Sequence, residues 1–209
     1  MKNVIVFFSF LLICSCQKKE VLLPQISETI VADVKDHSPI YMFFETKEMD
    51  TLIAVNRKNT IISTNWLFNI DKRLPLKLVV PEIKKLQEKK ENSEHKNKAA
   101  ENYFTYMDSE KKTLAFMPFT ETVYKLVKPT FGVIVFIKSI SEIRVNGVKV
   151  NKEDLQSYLI SIESDKPNKF QFCFSKELLF EDYLKATIFL KSLKFQLPIL
   201  QTSNQEFIY

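Results

Sequence analysis

The stretch EIRVNGVKV, residues 142–150, decides how the C-terminal half of the chain is read. Ile143, Val145, Val148 and Val150 alternate with polar neighbours, which is the period of a strand that buries one face. Asn146-Gly147 stands between the two runs. A two-residue type I′ turn needs φ > 0 at both central positions, and Asn-Gly meets that need with little strain. The stretch therefore predicts a β-hairpin. The whole chain of 209 residues has only two glycines, so this turn uses one of two such residues available.

On the C-terminal side, Asn151 reads as an N-cap with Asp154 three positions on. The spacing of Leu155, Tyr158, Leu159 and Ile162 predicts a helix over 152–162. Pro167-Asn168 marks a turn, 169–174 a strand, 181–193 a second helix and 195–200 a last strand. On the N-terminal side, 131–137 is an apolar run of strand length. The expected class is α+β: a small β-sheet with two helices on one face, in the order β-β-α-β-α-β.

Further upstream the pattern is less regular. Strands are expected over 40–44, 51–55 and 60–63, with a turn at 56–59. Residues 66–70 read as the opening of a helix interrupted near Pro75, and 82–87 as a helix with Pro81 in its first turn, fraying into the charge run 89–98. A strand follows over 103–107 and a helix over 112–127, delayed by Pro118. Residues 39–56 and 129–146 share a leading proline and a closing Ile-x-Val-Asn (Ile53 to Asn56, Ile143 to Asn146), and both continue to an aromatic strand, 103–107 and 170–174. Two tandem copies of one domain are the expectation, divided at 39–127 and 128–209.

The N-terminus supplies an address. Residues 4–13 form an apolar run too short to span a bilayer, which needs about 20 residues, and of the length of a signal-peptide core. The run ends Ile13-Cys14-Ser15-Cys16, with a branched residue at −3 and a small one at −1 relative to Cys16. That arrangement resembles a bacterial lipobox and makes Cys16 the lipidation site; Ile13 is too bulky for the same role before Cys14. Residues 1–15 are then a lipoprotein signal peptide and 16–38 a tether, in which Ile26, Ile30 and Val34 recur at fours as in a short helix. No Asp follows Cys16, which favours the outer membrane of a Gram-negative cell, with the protein facing the periplasm.

From Phe131 onward the chain resembles the periplasmic domain of the ExbD/TolR family, on the hairpin Ile143 to Val150 and the order of elements after it. The family's proteins are small subunits of proton-driven inner-membrane motors. The resemblance implies a domain that self-associates and meets other envelope proteins. Residues 4–13 contain no Asp or Glu, so the family's proton-conducting transmembrane helix has no counterpart there and no motor activity carries over.

Little in the sequence points to chemistry. His37 and His95 stand in polar stretches without partners at metal-ligand spacing, so no metal or cofactor is expected. Two glycines cannot build a phosphate-cradling loop. Glu181-Asp182 is an acidic pair of the kind common on surfaces, and Cys173 sits in an aromatic strand and reads as core. The net charge is +5, but the address of an exported lipoprotein leaves no nucleic-acid partner to expect. The expectation is a non-enzymatic, membrane-anchored module that binds envelope proteins. The alternative is a lipoprotein that holds a small molecule or peptide between its two halves.

Overall fold

A computed structural model describes residues 19–162, 168–193 and 200–209. The expected signal peptide, Cys16 and residues 195–199 of the expected last strand lie outside the described residues. The fold is mixed, mostly strand, and broadly α+β, with two sheets and three helices among the described residues.

The first sheet contains β1 (Gln25–Ile26), β2 (His37–Lys47), β3 (Asp50–Asn56), β4 (Asn65–Ile70), β5 (Asn102–Asp108) and β6 (Thr113–Pro118), and α1 (Leu76–Glu91) connects β4 to β5. Its order is β1-β5-β4-β2-β3, with β6 antiparallel to β5. The second contains β7 (Val123–Lys125), β8 (Val133–Ser139), β9 (Glu142–Val145), β10 (Val148–Val150), β11 (Asn168–Phe174) and β12 (Leu200–Ile208), with α2 (Leu155–Ile160) before β11 and α3 (Phe180–Ser192) after it. Its order is β10-β9-β8-β11-β12-β7.

The pairings follow one scheme in both sheets. β2 is antiparallel to β3 and parallel to β4, β4 is parallel to β5, and β5 to β1. β8 is antiparallel to β9 and parallel to β11, β11 is parallel to β12, and β12 to β7. In this scheme the strand in the position of β11 is β4. The match of 103–107 with 170–174 expected from their aromatic content is therefore not the one the pairings make.

A short seam joins the halves. Pro75 and Leu179 bridge antiparallel just before α1 and α3. Leu76 N donates to Leu178 O at 2.9 Å and Phe180 N to Leu74 O at 2.8 Å. Lys77 N donates to Lys176 O at 2.8 Å and Glu181 N to Lys72 O at 3.2 Å. The first N–H groups of a helix have no partner within it. Neither α1 nor α3 has a side-chain cap bond, so each half satisfies the other's helix start. One apolar core then takes in side chains from both sheets and all three helices, among them Phe68, Val79, Phe104, Leu155, Phe174 and Leu184.

Several expectations are corrected. Residues 22–36 are not a free tether and contain no helix. Ile26 and Val34 are buried, β1 pairs with Met107 and Asp108, and Val31 bridges Phe116. The segment's backbone bonds run across to the sheet: Ile30 N donates to the Tyr106 hydroxyl and that hydroxyl to Glu28 O. Residues 66–70 are β4, because Trp66, Phe68 and Ile70 enter the main core while Leu67 packs on the opposite face. Residues 60–63 form turns instead of a strand. Residues 112–127 hold β6 and β7; Lys112, at φ 55, turns β5 back into β6, and Pro118 ends it. β7 precedes residue 128 yet pairs with β12, so the 127/128 division does not separate the sheets. Pro81 lies inside α1, which starts earlier, directly after Pro75. The helix expected over 152–162 is only Leu155–Ile160, since 152–154 form a turn in which Asn151 Nδ2 donates to Asp154 Oδ2. The C-terminal order is accordingly β-β-β-α-β-α-β from β8 onward.

Candidate functional site

β7, β12 and β11 lie side by side, and their register sets Tyr124 beside Glu206 and Glu206 beside Phe172. Phe170 and Phe174, on the same face of β11 as Phe172, are core residues, so Glu206 points to the core side of the sheet. Tyr183 of α3 comes down on this row. Its hydroxyl donates to Glu206 Oε2 at 2.6 Å and lies 3.0 Å from the Tyr124 hydroxyl. With Tyr183 donating to the carboxylate, the Tyr124 hydroxyl is the donor to Tyr183. Both tyrosines are buried, which holds their hydroxyls protonated well above the usual phenol range.

Glu206 titrates at about 7. Burial raises it, against the opposing pull of the Tyr183 hydrogen bond and the Lys191 charge. Lys191, also on α3, donates to Pro118 O at 3.2 Å, and its own titration is lowered by burial. Glu206, Thr187 and Lys191 open onto a cavity of about 520 Å³ between the Pro118 to Thr122 loop of one half and α3, β11 and β12 of the other. Its apolar walls include Phe119, Phe172, Leu190 and Leu193. The Thr187 hydroxyl is buried and has no hydrogen-bond partner. The group can therefore offer a carboxylate and a hydroxyl to a guest in a cavity of mixed polar and apolar lining.

A second concavity, of about 420 Å³, is bordered by Lys84, Lys90, Asn102 and Thr122. Lys90 was expected in a solvated charge run, but it is 6% exposed. Its Nζ donates to Glu101 O and Asn102 Oδ1 and lies 4.8 Å from the Trp66 ring centre, and burial lowers its titration to about 8.

β3 ends one side of the first sheet, and β10 and β7 end the two sides of the second. Leu52 of β3 and Met49 just before it are both exposed, and the stacked pair Tyr41 and Phe43 lies on the neighbouring β2.

Cys16 lies outside the described residues. Asn146 and Gly147, at φ 49 and φ 89, form the turn between β9 and β10. The Asn146 backbone N–H donates to Ile134 O and its Oδ1 accepts from Ile134 N, each at 2.9 Å, so it ties the hairpin to β8. The turn borders a shallow surface depression with Phe136, Arg144 and Tyr209, separate from the Glu206 cavity. Cys173 is fully buried and its thiol is pushed up to about 12 by burial, so it stays an unreactive thiol. His37 and His95 are both exposed. Among the described residues no group of acidic, His and Cys side chains could hold a metal ion, and no helix is long and apolar enough to cross a membrane.

Glu206 carries no sequence signal: it stands in the polar run 201–206, beyond the strand expected to end at residue 200. Comparisons with protein-family models, curated proteins and solved structures found no match.

Proposed function

We propose that this chain is a cell-envelope lipoprotein, anchored through acylated Cys16 to the outer membrane and facing the periplasm, that works as a non-enzymatic protein-binding module. It is built from two copies of one α+β unit packed as a dimer within a single chain. The observation that carries this is the seam: matching backbone bonds, Leu76 to Leu178 and Phe180 to Leu74, related as the two sides of a two-fold contact are. The shared order of strand pairing supports the same duplication. A chain that contains its own pseudo-dimer has no need of a second copy to complete its core. Its open edge β3, with Leu52 exposed beside the Tyr41 and Phe43 pair, is then free to receive a strand from a partner. The resemblance to the ExbD/TolR periplasmic domain points to the same role, without the motor.

The test places a photo-reactive amino acid at Leu52 and, as a control, at exposed Lys89 of α1, in the full chain in its own cells. A discrete adduct with another envelope protein from Leu52, and none from Lys89, is the expected result. Identical adducts from both positions, or adducts only with further copies of the chain, would overturn the binding-module role.

A second reading, a carrier of a small molecule or peptide between the halves, is favoured by one observation. The 520 Å³ cavity draws its walls from both halves and contains a buried hydroxyl without a partner.

A further inference from the structure

The structure assigns the Glu206 cavity a ligand class: an organic ammonium ion, with a compact apolar body and one amine that hydrogen-bonds to Glu206 and Thr187. The assignment rests on the carrier reading above and adds what the carrier would carry.

The walls set the body of the ligand. Pro118, Phe119, Phe172, Leu190 and Leu193 present apolar surface to a chamber of about 520 Å³, and burial of apolar area drives entry. The polar groups set the head. Tyr183 occupies Oε2 of Glu206, and a carboxylate has acceptor capacity at both oxygens. Thr187 is 4% exposed, and its buried hydroxyl has no hydrogen-bond partner among the described residues. A buried polar group left without a partner destabilises the fold, so an orphan of this kind marks a place where a partner is missing.

Charge decides the sign of the head. Glu101, Glu121 and Glu206 line the cavity against one cation, Lys191, whose Nζ is already bonded to Pro118 O. An anion would meet three carboxylates. A neutral apolar guest would leave the Thr187 hydroxyl without a partner and bring no new donor to the Glu206 carboxylate. An ammonium can donate to both.

The first sheet shows the contrast. Phe68 and Phe172 each stand one pleat before the end of their strand, at Ile70 and Phe174. The residue in register beside Phe68 is Phe104, and beside Phe172 it is Glu206. Phe104 stacks on Phe119 with ring centres 3.8 Å apart and packs edge-on against Phe180. The corresponding place in the second sheet carries a carboxylate at the cavity wall instead of an aromatic ring.

The groups that face Glu206 are Tyr183 and Lys191 from α3 and Tyr124 from β7, with Glu101 and Glu121 on the far wall. The tyrosines stay protonated throughout the neutral range. Glu206 titrates at about 7, raised by burial.

The experiment is calorimetric titration of the full chain in lipid nanodiscs, with empty nanodiscs subtracted. The probes are benzylamine and its neutral analogue benzyl alcohol. At about pH 8.5, where Glu206 is ionised and an alkylamine still carries its proton, benzylamine is expected to bind about tenfold tighter than the alcohol. The preference should collapse at about pH 5.5 in the native chain and at both pH values in Glu206→Gln. Equal binding of the two probes at about pH 8.5, lost together when Phe172→Trp fills the cavity, would overturn the ammonium assignment and leave the carrier reading standing. Binding of neither probe would overturn both. The pH comparison needs no variant, so it decides the matter even where a substitution disturbs folding.

Discussion

Glu206 shows how one side chain links burial to pH. An ordinary carboxylate of its type titrates at 4.5, and in the folded chain Glu206 titrates at about 7. A pKa raised on folding means that the folded state binds the proton more tightly than the unfolded chain does. The stability this supplies is fully present below pH 4.5 and is lost as pH rises through about 7. A full shift of this size corresponds to roughly 3 kcal/mol, and partial solvent contact reduces it to ~1–2 kcal/mol. Denaturant titrations of native chain and Glu206→Gln between about pH 4 and about pH 8 check this. The native chain should lose ~1–2 kcal/mol over that range relative to the variant, whose amide keeps an acceptor for the Tyr183 hydroxyl. Parallel curves would mean that Glu206 is solvated. None of this is legible in the sequence. Glu206 and Lys90 both stand in runs of polar residues, and each is drawn out of open solvent by contact with another element, α3 in one case and β5 in the other. Cys173 was legible, because its neighbours Phe172 and Phe174 already describe a strand without a wet face.

At the scale of elements, the two glycines do different work at nearly the same backbone angle. Gly147, φ 89, sits in an open turn, and a Cβ built there meets nothing within 4 Å. Gly132, φ 86, brings the chain into β8, and a Cβ there would lie 2.5 Å from the Lys169 carbonyl oxygen on β11. Gly147→Ala therefore adds only the strain of a left-handed backbone, ~1 kcal/mol. Gly132→Ala adds a backbone clash to the same strain, for a total of ~2–4 kcal/mol. Urea midpoints for the two variants should fall in that order; equal losses would mean that β8 and β11 can separate at no cost. The hairpin was readable because its two residues carry their own conformational preference. α3 was readable because its apolar spacing and its burial coincide, with Tyr183, Leu184 and Ile188 all in the core. The segments 22–36 and 112–127 were not. Their apolar residues, spaced by chance at helical intervals, are divided between faces and between sheets once neighbouring strands compete for the backbone bonds. The Ile-x-Val-Asn match sets β2 and β3 against β8 and β9, as the pairings do, and only its downstream continuation differs. Aligning on Ile-x-Val-Asn paired 103–107 with β11, whereas the pairing scheme sets β4 there, a strand whose polar Asn65 and Asn69 obscured its kind.

For the whole molecule, the seam has a thermodynamic consequence. α1 and α3 each begin with N–H groups that are bonded to carbonyls of the other half. Separating the halves leaves four such donors to water, splits one continuous core, and removes β7 from β12. A two-domain protein with a small polar interface unfolds in two steps, while a single core unfolds in one. Two probes built into the chain can tell these apart. Trp66, the sole tryptophan, lies in β4 of the first sheet, and Cys173, a buried thiol, lies in β11 of the second. Indole fluorescence and thiol labelling, followed across one guanidinium titration of the chain with Cys14 and Cys16 replaced by Ser, should show a common midpoint and slope. Labelling of Cys173 before any change at Trp66 would show that the second sheet opens alone. The duplication would then be two domains side by side, and the pseudo-dimer would lose the shared core on which its binding edge depends.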